Sequence, residues 1–220
     1  MGASMTAEQI WKLVSEGIWD TLYMTIPATI LAYLVGLPLG VLLVITKKGH
    51  IKSAPTFNAV LGSVINFMRS IPFLILLVML FPVTRVVMGT AIGTKGAIFP
   101  LVVATVPFFS RQIHSALCEV DKGVIEAAQA MGSSPWEIVF RVYLREGLGG
   151  MIRGATITVV NLITLSAMAG CVGGGGLGDY AIRYGFQRKM TDVTLVTCIV
   201  LLILVTVIQS IGNILSTRKR

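Results

Sequence analysis

Long apolar runs alternate with short polar breaks along this chain, and the breaks carry as much information as the runs. Five predominantly apolar stretches of roughly 20 residues, enough to cross a hydrocarbon core, lie at about 22–45, 59–81, 97–117, 151–172 and 193–215. In lipid each must be helical, because an unpaired backbone polar group costs several kcal/mol there. Ahead of the first, Ala7, Ile10, Trp11, Val14 and Ile18 recur at helical spacing and predict a short helix lying at the interface. Pro38 and Pro72 fall inside apolar runs, where proline kinks a helix or frees a carbonyl. Gly36 with Gly40, and Gly150 with Gly154, have the spacing that lets helices pack closely. The longest breaks are 118–150 and 173–192.

Composition agrees with the pattern. Hydrophobic residues make up 55% of the 220 and charged residues only 13%, about half the charge of a soluble domain; mean hydropathy is +0.83. The expected fold class is an all-α integral membrane protein of five transmembrane helices, with 1–220 as a single membrane domain. Met1–Thr6 fits an N-terminal acylation pattern, but five spans already anchor the chain. Glu8, Glu16 and Asp20 against the single Lys12 are unlike the basic start of a cleaved signal peptide, so the first span is expected to be retained.

The net charge of +8 reflects topology and not a nucleic-acid partner. Eleven cations (Lys47, Lys48, Lys52, Arg111, Lys122, Arg141, Arg145, Arg153, Arg218, Lys219, Arg220) fall on one side of the spans and six on the other. The richer side is expected in the cytoplasm, with the N-terminus outside and the C-terminus inside. Cys118, Cys171 and Cys198 show neither disulfide nor metal spacing and read as small core residues. His50 and His114 lack liganding neighbours, so no metal site is expected.

Within 118–150, the helix-forming run 124–131 ends at Gly132, a residue suited to a left-handed helix end. Ser134 then reads as an N-cap, Pro135 as the first helical residue and Glu137 as the returning partner of a capping box. Trp136, Val139, Phe140 and Tyr143 follow on one predicted helix face. These residues alone leave two readings open: a loop resting on headgroups, or a docking element whose small residues permit close approach.

Glu126-Ala127-Ala128 with Gly132 resembles the EAA loop of binding-protein-dependent ABC importer permeases. The resemblance extends over nearly the whole chain. Asn66-Phe67-Met68-Arg69-Ser70-Ile71-Pro72-Phe73, Ser166–Gly170 leading into Gly173–Gly178, and Tyr180–Gly185 are similar to the methionine-importer branch. The chain departs from the family at Leu144-Arg145, where a Leu-Pro pair is usual. The resemblance implies a type I ABC importer fold with a cytoplasmic coupling-helix hairpin at 119–150. Glu126, Ala127, Ala128, Gly132, Ser134 and Trp136 would face an ATP-hydrolysing partner. It further implies a multi-pass permease of the bacterial inner membrane, acting as a homodimer with two ATP-binding cassette subunits and a periplasmic or lipoprotein substrate-binding protein. ATP and Mg would be held by the cassette subunits, in keeping with the absence of any G-x-x-x-x-G-K-[ST] sequence here. The expected function is ATP-driven import of methionine by alternating access. Another amino acid or an osmolyte, or a non-transporting scaffold or channel, are the alternatives.

Candidate pathway residues are Asn66, Arg69, Ser70, Ser166 and Met168. An arginine placed mid-span, as Arg69 is here, costs about 2.5–3.5 kcal/mol on insertion scales and should face protein or water. Its readings are a cap for carbonyls freed near Pro72 or a polar pathway lining. The resemblance places Met168 near an external gate, against the simpler reading of helix packing. Gly173, Gly175, Gly178 and Asp192 mimic a dinucleotide-binding fingerprint, but a membrane-length helix precedes them where a strand is required. A tight turn after the fourth span is expected instead. No span pairs a nucleophile with a base, so no enzyme activity is expected.

Overall fold

Helices follow one another along the chain, as lipid demands of backbone that cannot bond to water. The computed structural model describes residues 6–217. Residues 1–5 of the acylation pattern and the basic residues 218–220 lie outside that range. The elements are α1 (Ala7–Ile45), α2 (Pro55–Ser70), α3 (Phe73–Met88), α4 (Gly93–Cys118), α5 (Lys122–Ala130) and α6 (Pro135–Glu137). A π-helical segment Ile138–Tyr143 leads into α7 (Leu144–Glu146), then α8 (Leu148–Gly170), α9 (Gly176–Tyr180), a second π-helical segment Ala181–Gln187 and α10 (Thr191–Thr217). Among the described residues there is no strand.

Four helices (α1, α4, α8, α10) are long and apolar enough to cross a membrane, and α2 with α3 makes a fifth if the pair is counted as one broken span. Two expectations need revision. The stretch 59–81 is not one helix: α2 stops at Ser70 and α3 starts at Phe73. Pro72 is the cause, since it lacks an N–H and disfavours helical backbone at Ile71. It sits extended at φ −58° and ψ 133° as the N-cap of α3. The interfacial helix expected at 7–19 is not separate either. It is the first part of α1, whose 39 residues span about 58 Å at 1.5 Å per residue, well beyond the core of a bilayer. The small residue Gly17 sits where an added Cβ would meet the Tyr180 ring at 2.7 Å and Leu177 at 3.0 Å.

The chain divides into two compact units. The first comprises the chain up to Leu31, Ile71–Thr105 and Val159–Ile208. Its core gathers Met24 and Ala28 of α1, Phe73 and Leu77 of α3, Leu101 of α4, and Leu162 and Ala169 of α8. The second comprises Ala32–Ser70, Val106–Thr158 and the chain from Gln209. Its core joins Val41, Val44 and Ile45 to Phe109, Ile113 and Leu117, and to Ile125, Ile138, Val139 and Tyr143 of the polar break. Both glycine pairs serve packing in this unit. A Cβ on Gly36 would meet Phe109 at 2.9 Å and one on Gly40 would meet Ile113 at 2.6 Å; Gly150 and Gly154 abut Ala116 and Gln112 at 3.0 and 2.9 Å.

Candidate coupling hairpin and pathway residues

The hairpin starts one residue after Asp121, whose carboxylate accepts from the Gly123 N–H at 2.6 Å and caps α5. Helix α5 presents only Ile125 and Ala128 inward, while Glu126, Ala127 and Gln129 are exposed. Its end is satisfied by a tight turn: the Gly132 N–H donates to Gln129 O at 2.9 Å and the Ser133 N–H to Ala128 O at 3.1 Å. Gly132 takes φ +79°, the left-handed region that costs other residues about 1–2 kcal/mol. Ser134 then forms the capping box with Glu137. The Glu137 N–H donates to Ser134 Oγ at 3.3 Å, and the Ser134 N–H donates back to Glu137 Oε2 at 2.9 Å. So the exposed small-residue face of α5 and the exposed ring of Trp136 are held on either side of a rigid turn, with Lys52 Nζ 5.3 Å from the Trp136 ring centroid.

The Ser134 N–H and hydroxyl, with Arg141 as a weaker contributor, hold the Glu137 carboxyl below its ordinary value of 4.5. A depressed carboxyl stabilises the fold fully above the unfolded value, and that contribution is lost as pH falls through the lower folded value. Acidification below about pH 4.5 is therefore expected to lower the hydrogen-exchange protection of the Ser134 and Glu137 amides relative to their intrinsic rates at the same pH. Ser134→Ala is expected to show the same reduced protection already at neutral pH.

Beside the hairpin, His50 Nδ1 lies 3.0 Å from the Tyr143 hydroxyl, and the two help line a polar cleft of about 280 Å³ with Lys48, Lys122, Glu126 and Gln129. Burial, then Lys47 and Lys122, pushes His50 below its ordinary value, and burial first pushes the Tyr143 phenol up.

The pathway candidates fall in separate units. In the second, the Ser70 hydroxyl donates to Asn66 O at 2.9 Å. Asn66 Oδ1 accepts from Arg111 Nε at 3.3 Å and Nη2 at 3.0 Å. Arg69, expected mid-span, stands in the last turn of α2, where a cation suits the helix dipole. Its guanidinium lies 5.8 Å from the Phe108 ring centroid. In the first unit, Ser166 is buried and its hydroxyl donates to Ile163 O at 2.7 Å, while Met168 packs half-buried against the core. Nearby, Gly173, Gly175 and Gly176 all take positive φ of 77–81°. They turn the chain so that the Leu177 N–H donates to Thr21 Oγ1 at 3.0 Å. Buried Asp179 pairs with Arg183, and burial, then Asp20, pushes the Tyr180 phenol up to about 12.

Residues 36–220 match the family described as binding-protein-dependent transport system inner membrane component. The chain belongs to that family. It is thus a multi-pass inner-membrane permease of a binding-protein-dependent transport system. It is 48% identical over 206 residues, 94% of this chain and 92% of the relative, to the probable D-methionine transport system permease protein MetI of Vibrio cholerae. It is 44% identical over 166 residues, 76% of each chain, to the D-methionine transport system permease protein MetI of Escherichia coli K12. Among solved structures it is similar to the permease chain of the inward-facing MetNI methionine ABC transporter. The TM-score is 0.95 at 41% identity, covering 98% of this chain and 100% of that one. An amino acid ABC transporter solved with histidines shares the fold alone, with a TM-score of 0.79 at 18% identity.

Several features of this permease escaped sequence reasoning. Asp121 beside a helix start was a visible cap signal that went unused. The π-helical turn at Ile138–Tyr143 left no comparable trace. It splits the face expected from Trp136, Val139, Phe140 and Tyr143: Val139 and Tyr143 are 3% and 1% exposed, but Trp136 and Phe140 are 56% and 65% exposed. Bonding five residues back widens the turn and shifts the helix phase. Arg111, counted only as a flanking charge, is the partner of Asn66. The three cysteines are exposed and free, not core residues, because in a membrane chain an apolar side chain need not point inward.

Proposed function

We propose that this permease moves methionine into the cytoplasm as a homodimer, driven by two ATP-hydrolysing subunits and supplied by a substrate-binding protein outside. The similarity that carries the reading is the fold match over nearly the full chain, at 41% identity, to the methionine transporter permease. In this reading the hairpin faces the cytoplasm, with the N-terminus outside and the C-terminus inside. Exposed Glu126 and Ala127, on a helix fixed by the Asp121 cap and the Gly132 turn, enter a cleft of the ATP-hydrolysing subunit, and Ser134 and Trp136 fix the turn that follows and so set the angle at which α5 is presented. Buried Ala128 keeps α5 seated on its own core.

ATP-driven closure of the two partner subunits draws the paired hairpins together. Rigid-body movement of the bundles then switches access from outside to inside. Asn66, Arg69 and Ser70 supply a polar lining, and Met168, beside Ser166, a narrow apolar constriction. The permease itself makes and breaks no bond, and ATP and Mg belong to the partner. Glu126 orients and docks; it transfers no proton.

The test is uptake of labelled D- and L-methionine by cells that lack their own methionine importer and express this chain with a cognate ATPase and binding protein. The reading expects energised accumulation of methionine that excess unlabelled methionine competes away. Accumulation of a different amino acid, with methionine excluded, would replace the substrate. No accumulation of any would remove the importer reading.

A further inference from the structure

Next to the hairpin, the second unit holds an apolar groove of about 270 Å³, lined by Leu37, Pro38 and Leu42 of α1 and by Trp136, Phe140 and Leu144. Its wall on the α1 side belongs to a helix of membrane-crossing length and apolarity, so the groove offers an apolar surface suited to an acyl chain. A second, smaller cavity is lined by Ile51, Lys52 and Pro135, and shares Ile45, Trp136 and Val139 with the groove. The two together form one trough that is wholly apolar at the Pro38 end and cationic at the Lys52 end. Lys47, Lys48 and Lys52 are exposed within six residues of one another, and among the described residues none forms an ion pair. Lys52 lies over the Trp136 ring, an indole of the kind that settles at a membrane interface.

We infer that this trough is a binding site for one anionic phospholipid, with an acyl chain in the Pro38–Phe140 groove and the phosphate at Lys52. The polarity of the trough selects the occupant. A purely apolar partner would leave Lys52 uncompensated at one end, and a soluble anion would leave the groove unfilled. A zwitterionic lipid brings its own cation to the place that Lys52 already occupies, with Lys47 and Lys48 close in sequence. Basic clusters directly beside a membrane helix favour anionic headgroups by roughly fivefold per lysine. The lipid would then bridge the end of α1 to the turn that fixes the coupling hairpin, through Trp136. This inference rests on the membrane placement of α1 and not on the identity of the transported solute.

Trp136 is the natural reporter, because only Trp11 and Trp19 need be replaced by Phe to leave it alone. The full chain is reconstituted in phosphatidylcholine vesicles containing a small fraction of either acyl-brominated phosphatidylglycerol or acyl-brominated phosphatidylcholine. Trp136 should be quenched at severalfold lower mole fraction by the brominated phosphatidylglycerol, and the preference should fall roughly fivefold in Lys52→Ala. Native mass spectrometry of the unsubstituted chain, titrated with the two lipids in detergent, gives an independent reading. One phosphatidylglycerol should be retained per chain in preference to phosphatidylcholine. Equal quenching and retention by both lipids would overturn the site. So would a Trp136 shielded from both, which is the result expected if a second copy of the chain covers the groove.

Discussion

Glu126→Lys is expected to leave the permease folded and inserted while cutting uptake and partner ATPase stimulation by roughly 5–150-fold, the range spanned by a coupling free energy of about 1–3 kcal/mol. Magnitudes separate docking from folding here. Glu126 is exposed and makes no hydrogen bond or ion pair among the described residues. Its helical neighbour four residues back is Lys122, and reversing such a pair changes helix stability by only a few tenths of a kcal/mol. A large functional loss with intact insertion therefore has to arise at a surface outside this chain. Gly132→Pro should have the same functional effect by another route. Proline is locked near φ −65° and cannot adopt +79°, and it removes the N–H that bonds Gln129 O. Nothing lies within 4 Å of a Cβ at Gly132, so that damage is confined to the turn. ATPase rate, uptake and membrane insertion, measured on both variants, check the pair together.

Gly176→Val should instead fail at the level of folding. The residue combines φ +79° with a site where an added Cβ would meet Met24 Cε at 2.5 Å and Thr21 Oγ1 at 2.8 Å. Left-handed backbone costs a residue with a Cβ about 1–2 kcal/mol, and overpacking a filled site costs about 1–3 kcal/mol more. The sum, roughly 2–5 kcal/mol, is a large share of the 5–15 kcal/mol that holds a typical domain together. The displaced Thr21 hydroxyl also loses the Leu177 N–H it accepts. The expected result is a sharp fall in folded yield and in the temperature at which the detergent-purified chain aggregates. Wild-type thermal behaviour would refute the tight packing of Gly176 on α1.

How much of this was legible beforehand depended on whether a residue's role was local. The Ser134-to-Glu137 capping box and the left-handed Gly132 are local: spacing and residue type nearly determine them, and the structure has both. Close glycine packing at Gly36 and Gly40 was equally readable, because only the absence of a side chain permits that approach. Pro72 announced a disturbance, but whether proline kinks a helix or ends it depends on what satisfies the freed groups, and here it ends α2. Partners distant in sequence gave no signal. Arg111 on Asn66, Tyr143 on His50 and Thr21 on Leu177 are set by tertiary packing alone. Apolar periodicity misled most where lipid is the solvent: the cysteines, Trp136 and Phe140 are apolar yet face outward.

The central claim is that α5 is the surface through which an ATP-hydrolysing partner drives this permease, and disulfide trapping tests it most directly. Cys118, Cys171 and Cys198 are exposed and would be replaced by Ser, and exposed Ala127 by Cys. The transporter would be assembled with a partner ATPase carrying single cysteines along its nucleotide-domain cleft. The account predicts a cross-link between Cys at 127 and that cleft, with a yield that changes on adding ATP and Mg. An Ala127→Cys chain that remains freely labelled by a soluble thiol reagent in the assembled, transport-competent complex, and never cross-links, would contradict it.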